Sequence, residues 1–583
     1  MAEKAPTLIG HVKHVLGSTV TVSLDSDLAG VSPIYQGRLH RVGQIGSLVR
    51  IPQGLVDLIA TVSLLGISEL AGPLEPAGTI AGDERWLQIE LLGEIDHGTG
   101  HFQRGVGSYP ELDDPVHFAT PDQLKAVFPP PDEEHVQLGC LAASPDVPVS
   151  LDADRLVVRH SAIVGSTGSG KTSAVASILQ GFVSGGWRAA NIIVVDPHGE
   201  YPAAMKDSAS VRSVLAKGDH KLRVPYWALP ASEILRIFVG NVSSRSFVTR
   251  FTDLVAAKKR LFVGACQWLD MDQTAVTADT PVPFDLRAVW YQMDCENREI
   301  REVKKDPSTV CLVKLGDPAS LVSAEFEPYG PGGHPPHRAE TYGTYGNIPD
   351  LLRLGLRDPQ LQFLQEPSPK LDGSDPLVEV TQEWLGGRLP VSVLDFSGVP
   401  SRAADAAIGV VLGLVFEVAV RCETDEDGIG RPRPVLVVLE EAHRYLSDQA
   451  GPITGASANR IAREGRKYGI GLMLVSQRPT ELPQTALAQC GTIVALRLSN
   501  SGDQGAIRNA LPDAVSGLAS TLPSLRTHEA VVSGDAVVLP ARLLVDKPQP
   551  WPKAEDPSLE SWRKTPDLPQ VEEAIAAWRE TYK

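Results

Sequence analysis

Two kinds of hydrophobic pattern divide the chain. From Thr7 to about Val127, short runs of strand length, with Thr19–Leu24, Gly46–Pro52 and Trp86–Leu92 among them, are separated by Gly, Pro and Asp clusters. Strands at that spacing predict a small β-barrel over residues 1–130. A polar, Pro-rich link, Phe128-Pro-Pro-Pro-Asp-Glu-Glu, closes this part and marks a domain boundary. Beyond it, Ala162–Val164, Asn191–Val195, Val391–Leu394, Val435–Leu439, Gly471–Val475 and Thr492–Leu496 are apolar without polar alternation, and helical segments lie between them. Such runs predict strands buried on both faces, the parallel-type sheet of an α/β core covered by helices. The core is expected in two parts, residues 131–228 and 386–545, separated at 229–385 by a helical insertion with an irregular Gly/Pro-rich centre (Tyr329-Gly-Pro-Gly-Gly-His-Pro-Pro). Residues 546–583 form a tail that opens with Pro548, Gln549, Pro550, Trp551 and Pro552 and ends in a predicted amphipathic helix around Val571–Trp578. A segment of that kind cannot fold alone and is expected to dock on a neighbour. There is no internal repeat.

Composition narrows the class only a little. With 43% apolar and 21% charged residues in 583, the chain is of ordinary globular composition. Its 54 basic and 71 acidic side chains give a net charge of −17. That argues mildly against a protein that coats nucleic acid with its whole surface, and leaves a narrow basic channel open. No stretch approaches the roughly 18 uncharged apolar residues of a membrane span; Ile408–Val420 is interrupted by Glu417. The N-terminus lacks the basic and apolar regions of a signal peptide, so a cytoplasmic protein is expected. Cys140, Cys266, Cys295, Cys311, Cys422 and Cys490 are scattered, with no C-x-x-C pair, and are expected to be reduced packing residues.

The chemistry starts at Gly165, Ser166, Thr167, Gly168, Ser169, Gly170, Lys171 and Thr172, which match G-x-x-x-x-G-K-[ST] between an apolar strand and a helical run. In that pattern backbone N–H groups curl around phosphate oxygens at a helix N-terminus, the lysine neutralises the β/γ charge, and the threonine places a hydroxyl on Mg²⁺. ATP with Mg²⁺ is the expected ligand. Polar groups recur where later strands end: Asp196, Asp395, Glu440, Glu441 and Gln477. The carboxyl edge of an open parallel sheet is where ligands bind, so these groups converge on the phosphate loop, with Asp196 the expected member of its shell. Adjacent glutamates there suit divided labour, Glu440 toward the metal with Thr172 and Glu441 toward the attacking water; the alternative is two solvated carboxylates at a helix start. Arg463, Arg466 and Lys467, spaced three and four apart, share one helical face. That face either supplies an arginine to a neighbouring subunit's phosphates or is simply solvated or DNA-facing. Arg159, shortly before the phosphate loop, either reaches the phosphates of its own subunit or forms a salt bridge. His198 reads as a hydrogen-bonded structural group more readily than as a ligand, and Tyr226-Trp227 as core.

Together, GSTGSGKT, DPHGEY (Asp196 to Tyr201), VPYW (Val224 to Trp227), LEEAHRY (Leu439 to Tyr445) and REGRKYGIGLMLVSQRP (Arg463 to Pro479) closely resemble the HerA family of hexameric DNA-translocating ATPases, related to FtsK. The segment Phe102-Gln-Arg-Gly-Val-Gly-Ser-Tyr-Pro looks like that family's barrel domain, and the Trp/Pro tail like its C-terminal brace. The resemblance implies a RecA-like P-loop NTPase core with an inserted helical bundle, a homohexamer, and double-stranded DNA in a central channel. It implies that Glu441 is catalytic, that Gln477 senses the γ-phosphate, and that Arg463 or Arg466 acts across the subunit interface. It also implies a separate effector docked at the barrel: a NurA-type nuclease in archaeal end resection, or a sirtuin-like NADase or other nuclease in antiphage systems. From Asp270 to Gly346 the chain departs from the family, being polar and Gly/Pro-rich.

The leading expectation is an Mg²⁺-dependent ATPase that moves DNA through a ring, in DNA end processing or antiphage defence. Its rival is a nucleotide-ordered ring scaffold that activates an effector without processive motion.

Overall fold

The structure, a computed structural model, describes residues 6–25, 34–35, 38–39, 44–67, 85–216, 218–365, 371–385, 387–399, 401–422, 428–446, 452–512, 515–553, 559–563 and 571–580. At the N-terminus the strands Leu8–Leu16, Thr19–Leu24, Leu48–Gln53, Val56–Ile67, Arg85–Asp96 and Pro115–Phe118 pair antiparallel, and the pairing of Thr19–Leu24 with Arg85–Asp96 closes them into a barrel. Alternate side chains turn inward, as the period of two requires, and Ile9, Val22, Ile51, Leu58, Ile89 and Val116 fill the lumen. Gly46 meets the core domain here: a Cβ on it would stand 2.7 Å from Leu518 Cδ2.

His117 is the buried polar residue of this barrel that carries a pH prediction. It is 8% exposed, and its Nδ1 lies 2.9 Å from the Thr7 hydroxyl. Burial, helped by the Arg50 guanidinium and opposed by the Asp57 carboxylate, lowers its pKa to about 4. The unfolded chain therefore takes up the proton first. Stability is full above pH 6.5 and falls as pH drops from 6.5 to about 4, by on the order of 3 kcal/mol. His117→Asn should flatten this difference, read as melting temperature at pH 7.5 and 4.5 for both proteins.

The second domain is built on an eleven-stranded sheet. Seven strands are parallel, in the order Thr492–Leu496, Ser161–Val164, Ile470–Ser476, Val435–Leu439, Asn191–Asp196, Val391–Asp395 and Ala209–Ser213. Four antiparallel strands, Glu529–Gly534, Ala541–Val545, His135–Leu141 and Ser144–Asp152, extend it beyond Thr492–Leu496. The sheet is thus mixed, with the predicted apolar runs forming its parallel half. Every residue of Ser161–Val164, Val435–Leu439 and Ile470–Ser476 is buried, because helices cover both faces. One of them, Ser401–Arg421, is the single helix among the described residues long and apolar enough to cross a membrane. It packs instead into the core through Ile408, Val411, Leu412, Val415 and Phe416.

Among the described residues the insertion holds five α-helices, Ala231–Phe238, Arg245–Ala265, Leu286–Arg298, Ile348–Arg357 and Pro376–Trp384. Ser244 caps the longest by accepting the N–H of Phe247 at 3.3 Å, and Phe247, Phe251, Leu254 and Val255 form its buried stripe. Lys259 on the same helix is fully buried, and its ammonium is satisfied by the carbonyls of Trp227, Ala278 and Thr280 at 3.2, 2.8 and 2.6 Å. Trp227 is core, fully buried. The stretch from Asp270 to Gly346, irregular by sequence, holds helix Leu286–Arg298 and two short ladders, Ile300–Arg301 with His337–Arg338 and Leu312–Lys314 with Glu325–Phe326. The tail ends in helix Val571–Glu580. All six cysteines are free.

Candidate nucleotide site

Strand Ser161–Val164 delivers the chain to a loop and then to helix Lys171–Ser184. The loop needs its glycines: Gly168 and Gly170 have φ of +70° and +104°, in the left-handed region that side chains avoid. It is pinned where it begins, since Gly165 N donates to Ser476 O at 3.2 Å and Ser166 N to Arg497 O at 2.8 Å. The Lys171 ammonium lies 3.4 Å from Ser166 O. Burial lowers its pKa, and Glu440, Glu441 and Glu200 oppose that shift.

Strand Ile470–Ser476 runs between the phosphate-loop strand and Val435–Leu439, so Gln477 emerges between the loop and the paired glutamates. Thr167 donates its hydroxyl to Gln477 Oε1 at 2.8 Å, and Gln477 Nε2 donates to Glu441 Oε1 at 3.2 Å. The structure therefore brings Thr167, Gln477 and Glu441 into one relay. Glu441 has φ of +52°, a conformation a glutamate adopts only when its surroundings impose it, at a cost of about 1–3 kcal/mol. Its second oxygen is buried without a hydrogen bond, although His443 Nδ1 stands 3.2 Å away. His443 is also 3.2 Å from the Ser476 hydroxyl.

Glu440 does a different job from its neighbour. It accepts the Tyr201 hydroxyl, and burial, with the charges of Glu200, Glu441 and Asp196, pushes its pKa up to about 8. Its carboxyl is engaged with Tyr201, whereas the expected metal ligand would have it free. The Thr172 hydroxyl instead donates to Glu200 Oε2 at 2.7 Å. Asp196 also departs from its expected place: it is 1% exposed, and its carboxylate accepts the backbone N–H groups of His198, Gly199 and Tyr201 at 3.2, 2.8 and 3.0 Å. It shapes the turn that presents Glu200 and Tyr201, rather than facing the phosphates. Glu200, Tyr201 and His443 are the site members that residue-by-residue reading missed. The DPHGEY and LEEAHRY runs that contain them were visible as motifs, but their partners are fixed only by the sheet order.

The arginines stand at the other edge. Arg159 ends the short helix Ala153–Val158 before the phosphate-loop strand begins, and its Nη1 pairs with Asp535 Oδ2 at 2.7 Å. Its carbonyl accepts the N–H of Gly491, the residue before the next parallel strand. A residue at the start of that strand lies a strand's length from the loop at its end, about 13 Å at 3.3 Å per residue. The reach to its own phosphates is thus contradicted, and the salt bridge stands. Arg463 and Arg466 precede strand Ile470–Ser476 on the same edge and are exposed. Between them helix Pro452–Glu464 gives way at Gly465 to a 3₁₀ turn; a Cβ on Gly465 would meet Ile470 O at 2.6 Å.

As a fit to Mg²⁺, the site offers the Thr172 hydroxyl, the Glu200 carboxylate that accepts it, and a buried Glu441 oxygen without a hydrogen bond. That donor set suits a hard cation held mainly by phosphate oxygens and water.

A glycine-rich loop at a helix N-terminus, a buried lysine, and a glutamine–glutamate relay from the two adjoining parallel strands define a P-loop ATPase. Residues 136–415 match the family described as helicase HerA, central domain, and residues 422–539 match helicase HerA-like C-terminal; the chain belongs to the HerA family of helicase-type ATPases. The DNA double-strand break repair helicase HerA of Sulfurisphaera tokodaii is 25% identical over 538 residues, covering 90% of this chain and 92% of the relative. The protein of that name from Sulfolobus acidocaldarius is 25% identical over 492 residues, 84% of each chain. The solved structure of VirB4 of Thermoanaerobacter pseudethanolicus aligns over 71% of this chain and 97% of its own, with a TM-score of 0.43 and 14% identity.

Proposed function

We propose that the protein is a DNA-translocating motor of the cytoplasm, working as a ring of six around duplex DNA and driven by hydrolysis of Mg·ATP. The relay Thr167–Gln477–Glu441 carries this reading. It links the residue that would orient the attacking water to the loop that holds the γ-phosphate, through a glutamine placed to report the phosphate's presence. Mg²⁺, when bound, would be held by Thr172 with Glu200 beside it, and would offset the charge of the β- and γ-phosphates. Lys171 adds its charge to the same oxygens, and Glu440, held by Tyr201, supports Glu441 from behind the site. Arg463 and Arg466, out of reach of their own loop, are suited to a neighbour's. A separate effector, a nuclease or an NADase, would dock on the free end of the barrel, serving DNA end processing or antiphage defence. Support for docking comes from Leu16, Leu55, Tyr109 and Leu112, large apolar side chains of the barrel region that are more than half exposed.

The test is ATPase rate with and without linear duplex DNA at moderate salt, beside native mass. A six-subunit mass with several-fold faster turnover on DNA is expected. A ring whose turnover ignores DNA would favour the scaffold reading and sink the motor.

A further inference from the structure

The site described above accounts for the phosphate end of the nucleotide and leaves the nucleoside end without a partner. Lys171, Gln477 and Glu441 place the γ-phosphate on the flank of the loop that faces strands Ile470–Ser476 and Val435–Leu439. The nucleoside must then leave by the opposite flank, on the side of Thr492–Leu496 and Glu529–Gly534. On that flank the chain builds a latch. His528 N donates to Ser169 O at 2.9 Å, and the Thr527 hydroxyl approaches Gly168 O at 3.5 Å. The His528 ring lies so close to Gly170 that a Cβ there would stand 2.8 Å from Cδ2.

Two observations mark His528 as more than packing. Its φ is +64°, a left-handed conformation for a residue with a side chain, which persists only where neighbours over-determine it. Its ring also meets Trp551, 5.6 Å between centroids at 68°, although Trp551 belongs to the tail. That tail is fastened across the phosphate-loop helix. Gln180 accepts the N–H of Gln549 at 2.7 Å and donates to Pro550 O at 2.9 Å, and Lys553 N donates to Glu200 O at 2.9 Å. Both aromatic rings are only partly buried, so the pair presents a free surface beside the helix start.

We propose that His528 and Trp551 form the wall against which the base of the bound nucleotide stacks. This rests on the ATPase reading. The wall sits on the flank away from Glu441 and is joined by hydrogen bonds to the loop, so base occupancy and loop conformation are coupled. Stacking on an aromatic face is tolerant of base identity, so the wall would add affinity for a nucleoside triphosphate over bare triphosphate without choosing adenine over guanine. The same strap reaches Glu200, the partner of Thr172, and so spans the nucleotide from base to metal side.

Calorimetric titration of the full-length protein with Mg·ATP, Mg·GTP and Mg·tripolyphosphate tests this. Trp551→Ala should weaken ATP and GTP binding about tenfold and leave tripolyphosphate binding unchanged, while Trp551→Phe should stay near wild type. His528→Asn, which tolerates the left-handed backbone, should show the same selective loss if the ring itself is used. Unchanged ATP affinity in Trp551→Ala, or equal weakening of ATP and tripolyphosphate, would overturn the wall. A wild-type protein that binds neither would instead overturn the ATPase reading beneath it.

Discussion

Glu441→Gln should leave Mg·ATP bound and slow its hydrolysis by about 10²–10⁴-fold, the range expected on losing a positioned general base. The substitution keeps the shape of the side chain and an oxygen able to accept from Gln477 Nε2, now 3.2 Å from Glu441 Oε1. What it removes is the negative charge on an oxygen that is buried without a hydrogen bond. The loss should therefore fall on kcat and spare nucleotide affinity. Glu440→Gln is the informative control. Its carboxyl accepts the Tyr201 hydroxyl, and burial pushes its pKa up to about 8, so an amide there, which keeps an acceptor for Tyr201 and removes a charge that burial already disfavours, should cost much less turnover. Single-turnover ATPase and nucleotide retention on both variants decide the matter. Equal losses would mean that the two carboxylates act as one unit, and a Glu441→Gln protein with wild-type turnover would remove it from the mechanism.

The parts legible in the sequence were those written in local pattern. The phosphate loop, the buried strands and the barrel strands each carry their signal within ten residues, because period and glycine placement are local properties. What a strand's end faces depends on strand order, which is not local. Gln477 could be placed because it directly follows an apolar run. Glu200 could not, since its role depends on Asp196 turning the chain back through three backbone hydrogen bonds toward Thr172. Arg159 was placeable by simple geometry: a residue before a parallel strand lies at the amino edge, far from the loop that follows. His528 gave no signal at all, because its importance lies in a left-handed φ and in a tail residue more than twenty positions away. The mixed extension of the sheet was hidden for a related reason. Strand Glu529–Gly534 is buried over its first five residues and Ala541–Val545 at every second one, and burial alone does not tell parallel from antiparallel.

The amino-edge arginines lead to a prediction that depends on assembly. In one subunit Arg463 and Arg466 lie at the opposite sheet edge from their own phosphate loop, are exposed, and make no ion pair among the described residues, and two exposed guanidinium groups contribute little to the isolated fold. If they serve a neighbour's γ-phosphate, alanine at the acting position should cut turnover by about 10³-fold or more without moving the melting temperature or the native mass. A catalytic loss confined to the ring is the mark of a residue acting in trans. Co-assembly makes it decisive. Lys171→Ala subunits lack a working loop but keep the arginine, and Arg466→Ala subunits keep the loop but lack the arginine. In a random equal mixture about a quarter of interfaces join an intact loop to an intact arginine, given a head-to-tail ring in which each subunit completes the next, so activity should return to roughly that fraction. The same mixture with Arg463→Ala identifies which of the two acts. Arg159→Ala should behave differently, because its pairing with Asp535 already satisfies its charge. If no mixture of variants recovers activity, the arginines act within their own subunit or not at all, and the trans-completed site fails with them.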